Sequence, residues 1–302
     1  MILVREVFFG IFSLCDFCAL AYFKDFGIIA RFDNIQKVFR YNHRFDTSIL
    51  GVMQMKFMAN FKCNHTPSST YHYLREFERY DFGKSSEGNA KFWEQNEVVV
   101  FPPFVALQSA IDSAKNVKIG AQNAYPAQSG AYSGEIGEQM LESIGIKTVL
   151  IGHSERRNIL GESQEFCAQK VRYFLDRGYE VVYCVGENLA TRQAGKQALE
   201  AFLRLQFVGL DSVIDSSEFA GKFCVAYEPI WAIGTGVSAD EGDIEGVHRF
   251  LRSITSAPLL YGGSVNASNA SQITQINNVD GVLIGSAALT PSGLRDIINA
   301  CI

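Results

Sequence analysis

Three side chains in this 302-residue sequence could do chemistry together. Lys62 closes the segment Asn60-Phe61-Lys62, His153 opens His153-Ser154-Glu155-Arg156-Arg157, and Glu228 heads the stretch Glu228-Pro229-Ile230-Trp231-Ala232-Ile233-Gly234-Thr235-Gly236. An imidazole and a carboxylate are groups that move protons, and a lysine brings a fixed positive charge. Gly262-Gly263-Ser264-Val265 and Gly285-Ser286 add glycine turns, where a missing Cβ lets the backbone come close to an anion. Each has an ordinary reading when taken alone: a solvated lysine, a hydrogen-bonded core histidine, a strand-end carboxylate, a tight turn. What they share is position, because each follows directly on a short apolar run.

Eight such runs occur after residue 54, at 56–61 (KFMANF), 98–101 (VVVF), 117–122 (VKIGAQ), 148–152 (TVLIG), 180–185 (EVVYCV), 222–227 (KFCVAY), 259–262 (LLYG) and 281–285 (GVLIG). Runs of four to six β-branched and apolar residues suit strands buried on both faces. Between them lie longer amphipathic stretches at 164–177, 193–207 and 244–254, which read as helices, the first stopped by Gly178. Eight strands alternating with helices over 248 residues predict a single-domain (β/α)8 barrel. In that architecture function lies at the C-terminal ends of the strands, and phosphate is commonly held by the seventh and eighth loops. The cation, imidazole, carboxylate and glycine turns therefore gather on one rim.

Composition excludes several other classes. A net charge of −5 argues against general nucleic-acid binding. With 47% hydrophobic and 20% charged residues, the chain can bury a large core. Seven cysteines, odd in number and widely spread, fit reduced thiols in a cytoplasmic protein. No histidine spacing matches a metal motif, and no cofactor is expected.

Residues 1–54 differ, with nine of the 23 phenylalanines and six basic against five acidic residues. Their apolar stretch at 7–23 is interrupted by Asp16, so neither a membrane span nor a signal peptide is expected. The expectation is an atypical N-terminal extension, 1–54, ahead of a barrel domain, 55–302. Met53 and Met55 stand where a shorter chain could begin, so an over-extended start is the simplest reading of the extension.

The region from Met55 onward resembles the triosephosphate isomerase family. The resemblance rests on Ala59-Asn60-Phe61-Lys62-Cys63-Asn64, Gly120-Ala121-Gln122-Asn123, Ile151-Gly152-His153-Ser154-Glu155-Arg156-Arg157, Cys184-Val185-Gly186-Glu187, Ala226 through Gly236, Tyr261-Gly262-Gly263-Ser264-Val265 and Asp280 through Gly285, in family order. It implies a TIM barrel that interconverts dihydroxyacetone phosphate and glyceraldehyde 3-phosphate. It further implies that Glu228 is the base, His153 the electrophile, and Lys62 the cation beside the oxyanion and phosphate. Asn60 would donate a hydrogen bond and Glu155 would orient the lysine. The amides of Gly234, Ser264, Gly285 and Ser286 would hold the phosphate, and the segment from Ile230 to Gly236 would be a lid. A homodimer is implied through the loop from Tyr125 to Ile136, with no nucleic-acid or membrane partner.

Three departures from the family pattern stand out. Ser286 replaces a usual glycine, which matters if that position needs a positive φ. Asn60-Phe61-Lys62-Cys63 replaces a commoner Trp-Lys-Met, and Ser133 stands where threonine is frequent. The rival readings are another phosphate-binding barrel enzyme, such as a sugar-phosphate epimerase or lyase, and a non-catalytic phosphosugar-binding barrel. Gly234-Thr-Gly236-Val-Ser-Ala239 fits a dinucleotide fingerprint, but it neither follows a strand directly nor opens a helix there.

Overall fold

The computed structural model describes residues 21–23, 28–30, 55–83, 85–232 and 239–302. The chain forms two compact units, Met1–Val52 and Met53–Ile302. The described part of the first is an antiparallel pair, Ala21–Phe23 with Ile28–Ala30. Met53 and the 7–23 stretch, apart from 21–23, fall outside the described residues, whereas Met55 opens the first barrel strand.

The second unit contains eight parallel strands: β1 (Met55–Asn60), β2 (Asn96–Phe101), β3 (Lys118–Ile119), β4 (Thr148–Ile151), β5 (Glu180–Val185), β6 (Phe223–Tyr227), β7 (Leu259–Tyr261) and β8 (Gly281–Ile284). The sheet runs β3-β2-β1-β8-β7-β6-β5-β4. The last seam, β3 to β4, is made just past β3, where Ala121 N donates to Thr148 O and Leu150 N to Ala121 O, both at 2.9 Å. This is the expected TIM barrel.

Strand alternation explains why the apolar runs are unbroken. In β6, Phe223, Val225 and Tyr227 pack outward against the helices, while Cys224 and Ala226 face the barrel centre with Met58, Val99, Leu150, Val182 and Leu260. With both faces covered, no position is left for solvent. Within the described strands, charged residues occur only at the N-terminal ends, where Lys56, Glu97, Lys118 and Glu180 form a chain of ion pairs.

The helices differ from the expected spans at their ends, where capping decides the boundary. Asp240 caps Glu241–Arg252 by accepting from Asp243 N, so this helix begins three residues before the apolar stripe. Of the stretch 193–207, Gln193 ends a separate helix, Leu189–Gln193, and the expected helix is Lys196–Leu205, with Gly195 at φ 93° between them. Gln164–Leu175 ends as expected near Gly178, whose φ of 76° lets Tyr179 N return to Phe174 O at 3.0 Å. Among the described residues, no helix is long and apolar enough to cross a membrane.

Candidate active site

The turn after β1 sets the cation. Asn60 ends β1, is buried, and accepts the Lys62 amide on Oδ1 at 2.9 Å. Lys62 takes φ 52°, a left-handed conformation that costs a non-glycine residue about 1–2 kcal/mol. Gln122, just beyond β3, fixes this turn from the other side. Its Nε2 donates to Lys62 O at 2.8 Å and to Phe101 O at 2.9 Å. The Lys62 ammonium then meets Glu155 Oε1 at 3.0 Å. That pair is partly exposed and worth under about 1 kcal/mol, so its consequence is aim rather than stability.

The imidazole is placed by a helix start. His153 follows β4 and is the N-cap of Ser154–Asn158, its Nδ1 accepting the Glu155 amide at 3.3 Å. A ring nitrogen that accepts is unprotonated, so in the neutral ring the proton sits on Nε2. Nε2 points at Glu228 Oε1, 3.0 Å away.

Glu228 directly follows β6 and is 2% exposed. Its second oxygen accepts the Ser154 amide at 2.9 Å. Burial by itself would raise this carboxyl; His153, the Ser154 amide and Lys62 outweigh it and hold it below the usual range. Burial likewise would lower His153, and the touching Glu228 carboxylate outweighs that and raises it. Both directions belong to the state in which the two side chains are in contact. Beside Glu228, burial first and then the carboxylate push the Cys184 thiol up, so this neighbour stays neutral. Room for the glutamate comes from Gly262, where a Cβ would lie 3.1 Å from Glu228 Cγ and from Tyr227 O.

These groups open onto one cavity of about 340 Å3, whose lining includes Asn60, Lys62, His153, Glu228, Ser264, Gly285 and Ser286. Thus seven of the expected site residues share one wall, and Glu155 stands behind Lys62. Gly234 lies outside the described residues, as does most of the expected lid. Ser286 does not take a positive φ; among the described residues only Lys62, His65 and Asn278 do so without being glycine. It begins a short 3-10 turn, Ser286–Ala288, so the backbone there accepts a serine.

The described start of the expected lid, Ile230–Ala232, is pinned at two points. Trp231 Nε1 donates to Glu187 Oε1 at 2.9 Å, and Ser264 Oγ donates to Ala232 O at 2.7 Å. Glu187 is fully buried and also accepts from Tyr227 Oη at 3.0 Å. Burial raises its carboxyl above the ordinary value against these hydrogen bonds. Sequence reasoning gave no role to Gln122, Cys184 or Glu187. Glu187 lies two residues past the end of β5, so the strand-end rule could have found it, whereas Gln122 lies three residues past the short β3, with no signal of type or spacing. Cys184 could have been found from the inward parity of β5.

A buried carboxylate, an imidazole whose inner nitrogen faces it, and a cation on the same cavity suit proton abstraction beside a carbonyl. The charge that develops would be met by His153 and Lys62.

Comparison with known proteins points the same way. The triosephosphate isomerase family profile matches residues 55–301. A triosephosphate isomerase of Wolinella succinogenes is 50% identical over 231 residues, covering 76% of this chain and 93% of its own length. One from Sulfurovum sp. is 47% identical over 246 residues, 82% of this chain and all of its own. One from Campylobacter concisus is 44% identical over 252 residues, 82% of this chain and 99% of its own.

Proposed function

The chain belongs to the triosephosphate isomerase family, and we propose that Glu228, His153 and Lys62 carry the reaction of that family in residues 55–302. The protein is an isomerase that interconverts dihydroxyacetone phosphate and D-glyceraldehyde 3-phosphate. Nothing in the comparisons favours an epimerase, a lyase or a non-catalytic barrel.

Glu228 takes a proton from one of the two adjacent carbons and returns it to the other, through an enediolate. For this it must leave His153 Nε2 and turn into the cavity. The imidazole then loses the contact that did most to raise it; burial, the largest influence, and Lys62 still act to lower it, against the smaller raising effect of Glu155. His153 therefore works as a neutral donor through Nε2, the arrangement for which triosephosphate isomerase is the standard example. Lys62 faces the developing oxyanion and the phosphate, and Asn60 adds a donor. The amides of Gly234, Ser264, Gly285 and Ser286 hold the phosphate, and closure of the lid from Ile230 to Gly236 excludes water. The observation that carries this reading is the 3.0 Å approach of Glu228 Oε1 to His153 Nε2 on the wall of the cavity that Lys62 also lines.

The reading extends to a cytoplasmic homodimer joined through the loop from Tyr125 to Ile136. It is supported by exposed Tyr132 in that loop and by Ile159 and Leu160, which are 76% and 62% exposed. The activity test is turnover of glyceraldehyde 3-phosphate by the purified chain in a coupled assay. Turnover with exchange of one solvent hydrogen into product is expected. Tight binding of a phosphoglycolate-like mimic without turnover would favour a non-catalytic barrel.

A further inference from the structure

Lys62 and the turn at Ser286 belong to opposite ends of the second unit's sequence, and a pair of side chains ties them together. His65 follows the Lys62 turn and takes φ 71°, a left-handed value that a histidine seldom adopts. This conformation puts its ring over Phe61, with centroids 4.6 Å apart, and beside Tyr73 at 5.7 Å. Its Nε2 lies 3.1 Å from Leu289 O, across 224 residues of chain. A carbonyl only accepts, so Nε2 carries the proton and donates. Nδ1 lies 3.3 Å from Ser69 Oγ, a group already fixed in the capping box of Pro67–Phe77. Tyr73 is buried, and its hydroxyl donates to Ala288 O at 2.8 Å.

Two neighbouring side chains thus hold two successive carbonyls of the turn after β8. That turn closes on itself through Ala288 N to Gly285 O and Leu289 N to Ser286 O. With its trailing carbonyls held by His65 and Tyr73, its leading residues, Gly285 and Ser286, are left on the cavity wall. We propose that His65, with Tyr73, is a positioning residue that locks the phosphate-binding turn to the Lys62 turn. It keeps backbone donors and cation at a fixed spacing for the substrate phosphate. The left-handed backbone at His65 is the cost of bringing its ring there, and the hydrogen bond and ring contacts offset it.

The inference deepens the proposed function and rests on it. It predicts a loss confined to substrates that carry phosphate. The test compares the wild-type chain, His65→Gly and Tyr73→Phe on two substrates: D-glyceraldehyde 3-phosphate, and D-glyceraldehyde followed by exchange of its C2 hydrogen in deuterium oxide. Glycine accepts φ 71° freely, so His65→Gly removes the ring and leaves the backbone path available. The expected result is a fall of about tenfold in kcat/KM on the phosphorylated substrate for His65→Gly, carried by KM, as loss of one hydrogen bond to a binding loop implies. Tyr73→Phe falls in the same direction. With D-glyceraldehyde both variants match the wild type within about twofold. Equal losses on both substrates, or none on either, would overturn the role of His65. If the wild-type chain itself fails to turn over the phosphorylated substrate, the proposed function fails first, and the two failures are separable.

Discussion

Lys62 illustrates how much one residue here depends on its surroundings. Its backbone is held in a left-handed turn by Asn60 and Gln122, and its ammonium is aimed by Glu155. A preorganised cation at a developing oxyanion is worth about 3–4 kcal/mol at the transition state. Lys62→Met is therefore expected to lower kcat/KM by about 10²- to 10³-fold, with weaker binding of phosphate-bearing inhibitors. Steady-state kinetics check this, and unchanged kinetics would remove Lys62 from the site. Lys62, His153 and Glu228 were legible in the sequence because each sits where an apolar run ends. Gln122 and His65 were not, for different reasons. An amide that bridges two carbonyls leaves no pattern of types or spacing. A left-handed histidine looks like any other histidine until the backbone is seen.

At the scale of elements, the strands were readable because the barrel buries both of their faces, which makes each run continuously apolar. The exception is instructive. Residues 117–122 read as one strand, yet only Lys118–Ile119 is regular, and closure passes through a single bridge at Ala121. At Gly120 a Cβ would lie 2.4 Å from the Phe101 ring, a packing constraint that apolarity alone does not report. Loops carry their own demands. Gly262→Ala would press on Glu228 Cγ and on Tyr227 O, so we expect kcat to fall at least tenfold while the far-ultraviolet circular dichroism stays native.

The helix Glu241–Arg252 brings a buried titratable group into the core. His248 is wholly buried, its Nδ1 lies 2.8 Å from Asn278 O, and its Nε2 has no partner among the described residues. Burial, aided by Arg252 and opposed by the Asn278 hydrogen bond, lowers it to about 4. The unfolded chain therefore takes up this proton near pH 6.5 and the folded chain only near pH 4. Folding is fully favoured above that window and loses about 3 kcal/mol as pH falls through it. Urea unfolding measured at pH 7 and pH 4.5 should show this loss, and His248→Gln should shrink it. A variant with the wild-type pH dependence would assign the loss to other groups.

For the whole molecule, the family match begins at residue 55, and the residues proposed for the site all lie beyond it. A chain beginning at Met55 is accordingly expected to keep the kcat and KM of the full sequence within about twofold, an ordinary margin for a change remote from the site. Sedimentation at micromolar concentration should give a dimer, and a monomer would contradict the interface proposed at Tyr125 to Ile136. That oligomeric reading came from resemblance, because an exposed loop carries no intrinsic sign of its partner. In the proposed mechanism the barrel as a whole aims one carboxylate at carbon, and the most direct measurement is the kinetics of Glu228→Asp. Shortening the side chain withdraws the base by about one carbon–carbon bond, so kcat should fall by about 10²-fold or more with KM nearly unchanged. An undiminished kcat would contradict the account.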